Sequence, residues 1–234
     1  MPVSFLLETW MIFSCGFTAL AFVLLLLHFF NVLGPFYQMM IQNSGNHQRH
    51  VHIFDTVPLK TGDVVFLGDS ITAGGPWSEL FEDRLIKNRG IDGDTTSGVL
   101  ARLEQLTRSQ PSRVFLLIGT NDLSLGIAEG DIIKNILSVT TRLKRANPET
   151  HIFLQSILPR GAKYKDRVEA VNKKLAESLS SDVTWIDLYP LFLDDRKQAI
   201  DPRFSNDALH LNGTGYQVWK DAIEDYIEVS PSPQ

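Results

Sequence analysis

Asp63-Val64-Val65-Phe66-Leu67-Gly68-Asp69-Ser70 decides how the chain is read. Four consecutive apolar residues, two of them β-branched, spell a strand buried on both faces. The run stops at Gly68, and Asp69-Ser70 followed by Gly74-Gly75-Pro76 reads as a loop entering a helix with proline in its first turn. Ser70 therefore sits at the carboxyl end of a central strand. In open parallel sheets that edge is where ligands bind, which makes its hydroxyl a candidate nucleophile. Taken alone, Gly-Asp-Ser is ordinary turn and capping chemistry, so its meaning depends on the residues downstream of it.

Beyond Ser70, apolar runs alternate with helical periodicity. Trp77, Leu80, Phe81 and Leu85 share a helical face, and 85–89 can form a second strand. Asp94-Thr95-Thr96 can cap a helix carrying Val99, Leu103 and Leu106. Strands are expected at 113–118, 152–157 and 183–188. Between and after them, helices are expected at 131–146, around Val168, Val171, Leu175 and Leu179, and at 213–227. Lys144 and Arg145 stand where they offset the dipole of the 131–146 helix. This alternation implies an α/β domain with about five parallel strands and helices on both faces. All the glycine-rich breaks come after strands and gather on one edge.

Composition narrows the classes of function. The net charge of −5 includes no basic block, which argues against nucleic acid as a partner, and the single Cys15 excludes an intrachain disulfide and a cysteine-based metal site. From Thr9 to Phe30 there is no Asp, Glu, Lys or Arg. Residues 1–37 are therefore expected to be a membrane anchor, with one transmembrane helix at about 9–33 and Trp10, Phe36 and Tyr37 as its interfacial belt. The lipid bilayer is the implied partner and a single-pass membrane location the implied site. Arg49 and Lys60 after the span favour a cytoplasmic domain, whereas uncleaved anchors commonly export the domain attached to them, so the side stays open. Residues 38–62 are polar and aperiodic and are expected to be a linker. His47, His50 and His52 read as solvated residues within it, since no carboxylate or cysteine accompanies them. The domain is expected over 63–228, with 229–234 a disordered tail.

Four breaks on the strand-end edge carry chemistry: Gly68-Asp69-Ser70-Ile71, the loop from Asn88 to Thr96, Gly119-Thr120-Asn121-Asp122, and Asp207-Ala208-Leu209-His210. Serine hydrolysis needs a base, a carboxylate that fixes the base's tautomer, and donors aimed at a developing oxyanion. His210 can be the base and Asp207 its partner, while the Ser70 and Gly93 amides and the Asn121 side chain can donate to the oxyanion. Asp69 and Asp122 are expected to tie down their loops. No Gly-x-Ser-x-Gly elbow surrounds the serine, which argues against an α/β-hydrolase.

With these four blocks, in order, the sequence closely resembles the SGNH hydrolases, also called the GDSL esterase and lipase family. Its one departure is Ile71 in place of leucine. The resemblance implies Ser70 as nucleophile, Asp207 and His210 completing the triad, and Ser70, Gly93 and Asn121 forming the oxyanion hole. It further implies a three-layer α/β/α flavodoxin-like fold and no metal or organic cofactor. The expected activity is hydrolysis of short to medium acyl esters through an acyl-enzyme. The expected substrates are acetylated sugars or similar polar alcohols, with lysophospholipids or thioesters as further candidates, because the loops leaving the strand ends are too brief to line a long acyl trough. Acyl transfer to a sugar by the same triad, and a non-catalytic binding module on a membrane stalk, are the competing readings.

Overall fold

Val64–Gly68 (β1) lies one strand in from the edge of a five-stranded parallel sheet of order β2-β1-β3-β4-β5. Its companions are Ile86–Gly90 (β2), Arg113–Leu117 (β3), His151–Gln155 (β4) and Val183–Ile186 (β5). The structure is a computed structural model and describes residues 20–22, 25, 33–82 and 85–227. β1 is flanked on both sides and every residue in it is buried, as its unbroken apolar run requires.

Alternate residues of the strands feed two cores. Val65, Leu67, Val114, Leu116, Ile152 and Leu154 face one side, where Thr96–Ala101 (α5), Glu129–Ala146 (α8) and Lys165–Ser178 (α9) cover them. Val64, Phe66, Phe115, Leu117 and Phe153 face the other, covered by Trp77–Leu80 (α4) and Gly213–Ile227 (α10). The register pairs Phe66 with Phe115 and Phe115 with Phe153. Their rings stack at 5.0 and 4.6 Å, and Trp77 stacks on Phe66 at 4.1 Å. Parallel strands lie about 4.8 Å apart, so identical side chains at one level fall naturally into such a column. Each buried ring contributes about 1.5–3 kcal/mol relative to exposure.

Element ends shift for identifiable reasons. β4 stops at Gln155 because the Ile157 amide turns away to donate to Asn172 Oδ1 at 2.8 Å. The helix expected across Val99, Leu103 and Leu106 breaks into α5 and a short α6 at Glu104–Thr107, and Thr95 is its cap, accepting from the Gly98 amide. Pro76 sits at the N-cap of α4 rather than within its first turn.

The larger difference lies before the sheet. Of the linker expected at 38–62, only 57–62 and the turn at 43–44 are irregular: 33–42 are helical (α1), and Gly45–Thr56 (α2) is a helix capped by Ser44, whose hydroxyl accepts from the His47 amide. Both helices lie against the domain. Gln38 and His47 are buried, and Arg89 donates to the Val57 carbonyl at 2.8 Å while its guanidinium covers the Phe54 ring. Apolar periodicity could not reveal this, because the contacts that dock α1 and α2 are largely polar. The span expected at 9–33 and the tail expected at 229–234 fall wholly or almost wholly outside the described residues. Among the described residues no helix is long and apolar enough to cross a membrane.

Candidate active site

Ser70 is the first residue of a four-residue helix, Ser70–Ala73 (α3), which springs directly from β1. Asp69 caps it, with Oδ1 accepting from the Ile71 amide at 3.0 Å. The hydroxyl so presented lies 2.9 Å from His210 Nε2. On the far side of the ring, His210 Nδ1 lies 2.7 Å from Asp207 Oδ2. The carboxylate accepts at Nδ1, which puts the imidazole proton there and leaves Nε2 as an acceptor facing the serine. Asp207 Oδ1 also accepts from the Leu209 and His210 amides at 3.0 and 2.8 Å. The His210 hydrogen bond, aided by these amides, holds the Asp207 carboxyl well below the usual carboxylate range. Ala208 adopts φ +60 to close this turn.

Opposite the histidine stand the expected oxyanion donors. Ser70, Gly93, Asn121 and His210 line one open cleft of about 770 Å³, together with His50, Ala73, Gly74, Asp92, Leu209, Leu211 and Tyr216. Asp207 lies behind His210 rather than on the cleft wall. Gly93 has φ +74, a conformation that a residue with a Cβ adopts only under strain. The Asn121 amide donates to the Asp94 carbonyl at 2.8 Å, so one of its two protons fixes the side chain and the other is free for the cleft.

Three buried carboxylates lie beneath these donors. Asp94 Oδ2 accepts from Arg102 Nε at 2.8 Å, and Arg102 Nη2 reaches the carbonyls of Gly68 and Arg89 at 3.1 and 2.9 Å. One guanidinium thereby ties the Gly93 loop to the ends of β1 and β2. Asp122 accepts from the Thr96 hydroxyl at 2.7 Å, the Thr96 amide at 3.0 Å and Gln38 Nε2 at 3.1 Å. Burial nevertheless pushes Asp122 up to about 6, against the pull of the Thr96 bonds. Asp69 is pushed to about 7, chiefly by burial and further by Asp94 and Asp122, with the Ile71 amide opposing. Its Oδ2 has no hydrogen-bond partner among the described residues.

Every residue expected at the site is thus brought to one place. Gln38, His47, His50, Arg102 and Tyr216 join them without any sequence motif to announce them. Tyr216 donates to the Ile71 carbonyl at 2.8 Å, fixing α3 from α10. Ser44, a cap before a polar helix, is the one local sign that the segment carrying His47 and His50 is ordered. Among the described residues no group of three His, Cys, Asp or Glu side chains is placed to hold a metal ion.

Residues 66–218 match the GDSL-like lipase/acylhydrolase family. The chain belongs to that family. It is a carboxylic ester hydrolase. The platelet-activating factor acetylhydrolase IB subunit alpha2 of Rattus norvegicus is 32% identical over 168 residues, covering 67% of this chain and 72% of the relative. A structure from Streptococcus pneumonia, provisionally described as a platelet activating factor, is 26% identical with a TM-score of 0.70, covering 89% of this chain and 99% of that one. A GDSL-like lipase of Bacteroides thetaiotaomicron superposes with a TM-score of 0.69 at 23% identity, covering 78% and 97% of the two chains, and its likeness is one of fold.

Proposed function

We propose that this hydrolase works through a serine acyl-enzyme and acts on esters of short acyl groups. The observation that carries the reading is the continuous relay from Ser70 Oγ to His210 Nε2 at 2.9 Å and from His210 Nδ1 to Asp207 at 2.7 Å. Ser70 Oγ attacks the ester carbonyl carbon as its proton passes to His210 Nε2, and Asp207 stabilises the imidazolium so formed. The oxyanion receives hydrogen bonds from the Ser70 and Gly93 amides and the free Asn121 proton. The carbon–oxygen bond to the alcohol breaks, His210 gives its proton to the departing alkoxide, and acyl-Ser70 remains. Water then attacks that ester with His210 again accepting the proton. The bond from the acyl carbon to Ser70 Oγ breaks as His210 returns that proton to Oγ, so the carboxylic acid leaves and the serine is restored.

The preference for a short acyl group is supported by the cleft, whose apolar wall amounts to Ala73, Leu209, Leu211 and part of Tyr216, with His50 and Asp92 on the rim. The acetylhydrolase name of the 32% identical relative agrees with it. A fluorophosphonate should label Ser70 and leave Ser70→Ala unlabelled. Along p-nitrophenyl esters, kcat/KM should peak at two to about four carbons. A rate that climbs steadily past eight carbons would end the short-acyl assignment, and an unlabelled active protein would end the acyl-enzyme.

A further inference from the structure

Helix α1 has two faces that serve different surroundings. Its inner face is seated on the loops that carry the oxyanion donors. Gln38 reaches Asp122 at 3.1 Å, Gln42 Nε2 donates to Ser97 Oγ at 3.0 Å, and Ile41 Cγ2 lies 3.7 Å from where a Cβ on Gly93 would stand. Gly34 sits so close to the Leu125–Ile127 turn that a Cβ there would come within 2.9 Å of the Leu125 carbonyl oxygen. The next helix continues the contact, with His47 Nε2 3.4 Å from Asp94 Oδ1. The outer face is apolar and open: Phe36, Tyr37, Met39 and Met40 are 48–51% exposed. Upstream, Leu20, Phe22 and Leu25 are 58–66% exposed. Of the twelve large hydrophobic residues exposed among the described residues, seven fall within 20–40. Exposed apolar side chains scattered singly are unremarkable, but a concentration of this kind marks a surface that is covered in use.

The cover is identified by the segment that precedes the helix. Residues 9–30, free of Asp, Glu, Lys and Arg, are long enough to cross a hydrocarbon core of about 30 Å. We infer that the outer face of α1 lies in the interface of a lipid bilayer, that α1 holds the cleft at the level of the headgroups, and that the ester is membrane-borne. The geometry sets a ceiling on the distance. Eight residues separate Leu33, at the end of the apolar segment, from Ile41 against the Gly93 loop, and a helix rises about 1.5 Å per residue. Ile41 therefore lies about 12 Å from that end at most, and the Gly93 loop one side-chain contact farther on, whatever the tilt of the helix. A headgroup layer occupies roughly half that depth or a little more. A flexible linker would have left the domain free to face any direction, but seating Gly34 and Gln38 fixes one. This rests on the proposed acyl-enzyme reading and adds to it the identity of the alcohol: a lipid whose short acyl ester stands at the membrane surface.

The test uses the full chain reconstituted in phosphatidylcholine vesicles and two acetyl esters. One is p-nitrophenyl acetate in the water phase, and the other is the acetyl ester of a long-chain monoacylglycerol held in the vesicles. The variant Phe36→Ser/Tyr37→Ser/Met39→Ser/Met40→Ser should lower the ratio of membrane-ester to soluble-ester kcat/KM at least fivefold, with soluble turnover within twofold of the parent. A smaller change in the ratio overturns the inference, as does an equal loss on both esters, which would make the strip a structural element. A second readout does not depend on that variant folding. Met40→Cys in a Cys15→Ser background, labelled with a fluorophore, should be quenched by spin-labelled lipids, and an unquenched label overturns the inference. Fluorophosphonate labelling of Ser70 in the same vesicles separates the two levels. An unlabelled serine defeats the acyl-enzyme reading, whereas a labelled serine with an unchanged ester ratio defeats only the membrane placement.

Discussion

The two halves of the cleft are built on opposite principles. On the histidine side, His210 and Asp207 are 43% and 47% exposed and are joined by a local turn of three residues. On the oxyanion side, Asp69, Asp94 and Asp122 are fully buried. The bonds of Asp122 there run to Thr96 and Gln38, 26 and 84 residues away. The histidine side must face water and substrate, so it is held by nearby backbone amides and can be altered with little effect on folding. On the proposed mechanism the oxyanion side must be rigid before the substrate arrives, and rigidity there comes from carboxylates and a guanidinium placed where water cannot relax around them. Removing a partner on that side disturbs the fold itself.

The largest expected contrast comes from Ser70→Ala or His210→Ala. Either should lower kcat by on the order of 10⁴ or more. The melting temperature should change by no more than a few degrees, since neither change leaves a buried charge unpaired. A large loss of stability in His210→Ala would remove the distinction between the halves. Arg102→Met should do the reverse, destabilising by about 3–5 kcal/mol in urea unfolding because it strands Asp94 in the interior. Asn121→Ala falls next, with a loss in kcat on the order of 10² to 10³ and KM little changed, as for a contact made mainly in the transition state. A rise in KM at constant kcat would make Asn121 a substrate-binding residue.

The smallest effect is the dependence of stability on pH, where the halves should slope in opposite directions. Asp69 binds its proton more tightly folded than unfolded, from the ordinary 3.8 to about 7. Between those values the folded state holds more protons, so this group makes stability fall as pH rises from about 4 to 7. Asp207 is shifted down, so its contribution is present above about 4 and lost as the pH drops below that. Its exposure to solvent keeps that contribution small. Melting curves of Asp69→Asn from pH 4 to 7 should decline less than those of the parent. An unchanged slope would show that Asp69 is ionised in the folded protein.

The same division explains what could be read from the residues alone. Four consecutive apolar residues at 64–67 can hardly be anything but a buried strand, and β3 and β4 announce themselves in the same way, whereas β2, Ile86-Lys87-Asn88-Arg89-Gly90, has no apolar run. Ser70, Asn121 and His210 could be found because each comes after a break in an apolar pattern. Arg102 and Gln38 could not, since a charged or amide side chain on a helix usually faces water and nothing local says that a carboxylate waits in the interior. Residues 38–56 misled for the same reason: Gln38, Gln42 and His47 look like a solvated tether because their partners, Asp122, Ser97 and Asp94, lie more than 40 residues further on. Polar docking has no periodic signature.

The hydrogen bond between Ser70 and His210 spans 140 residues of chain. Ribosomes extend a chain at roughly 5–20 residues per second, so about 7–28 seconds separate the synthesis of Ser70 from that of His210, its proposed base. Tyr216, which fastens the serine's helix from α10, comes later still. Throughout that interval β1 can pair and the loops of Gly93 and Asn121 can fold, yet on the proposed mechanism the serine has nothing to take its proton. On the proposed mechanism the nascent chain stays inert until His210 has been made and has folded back onto Ser70.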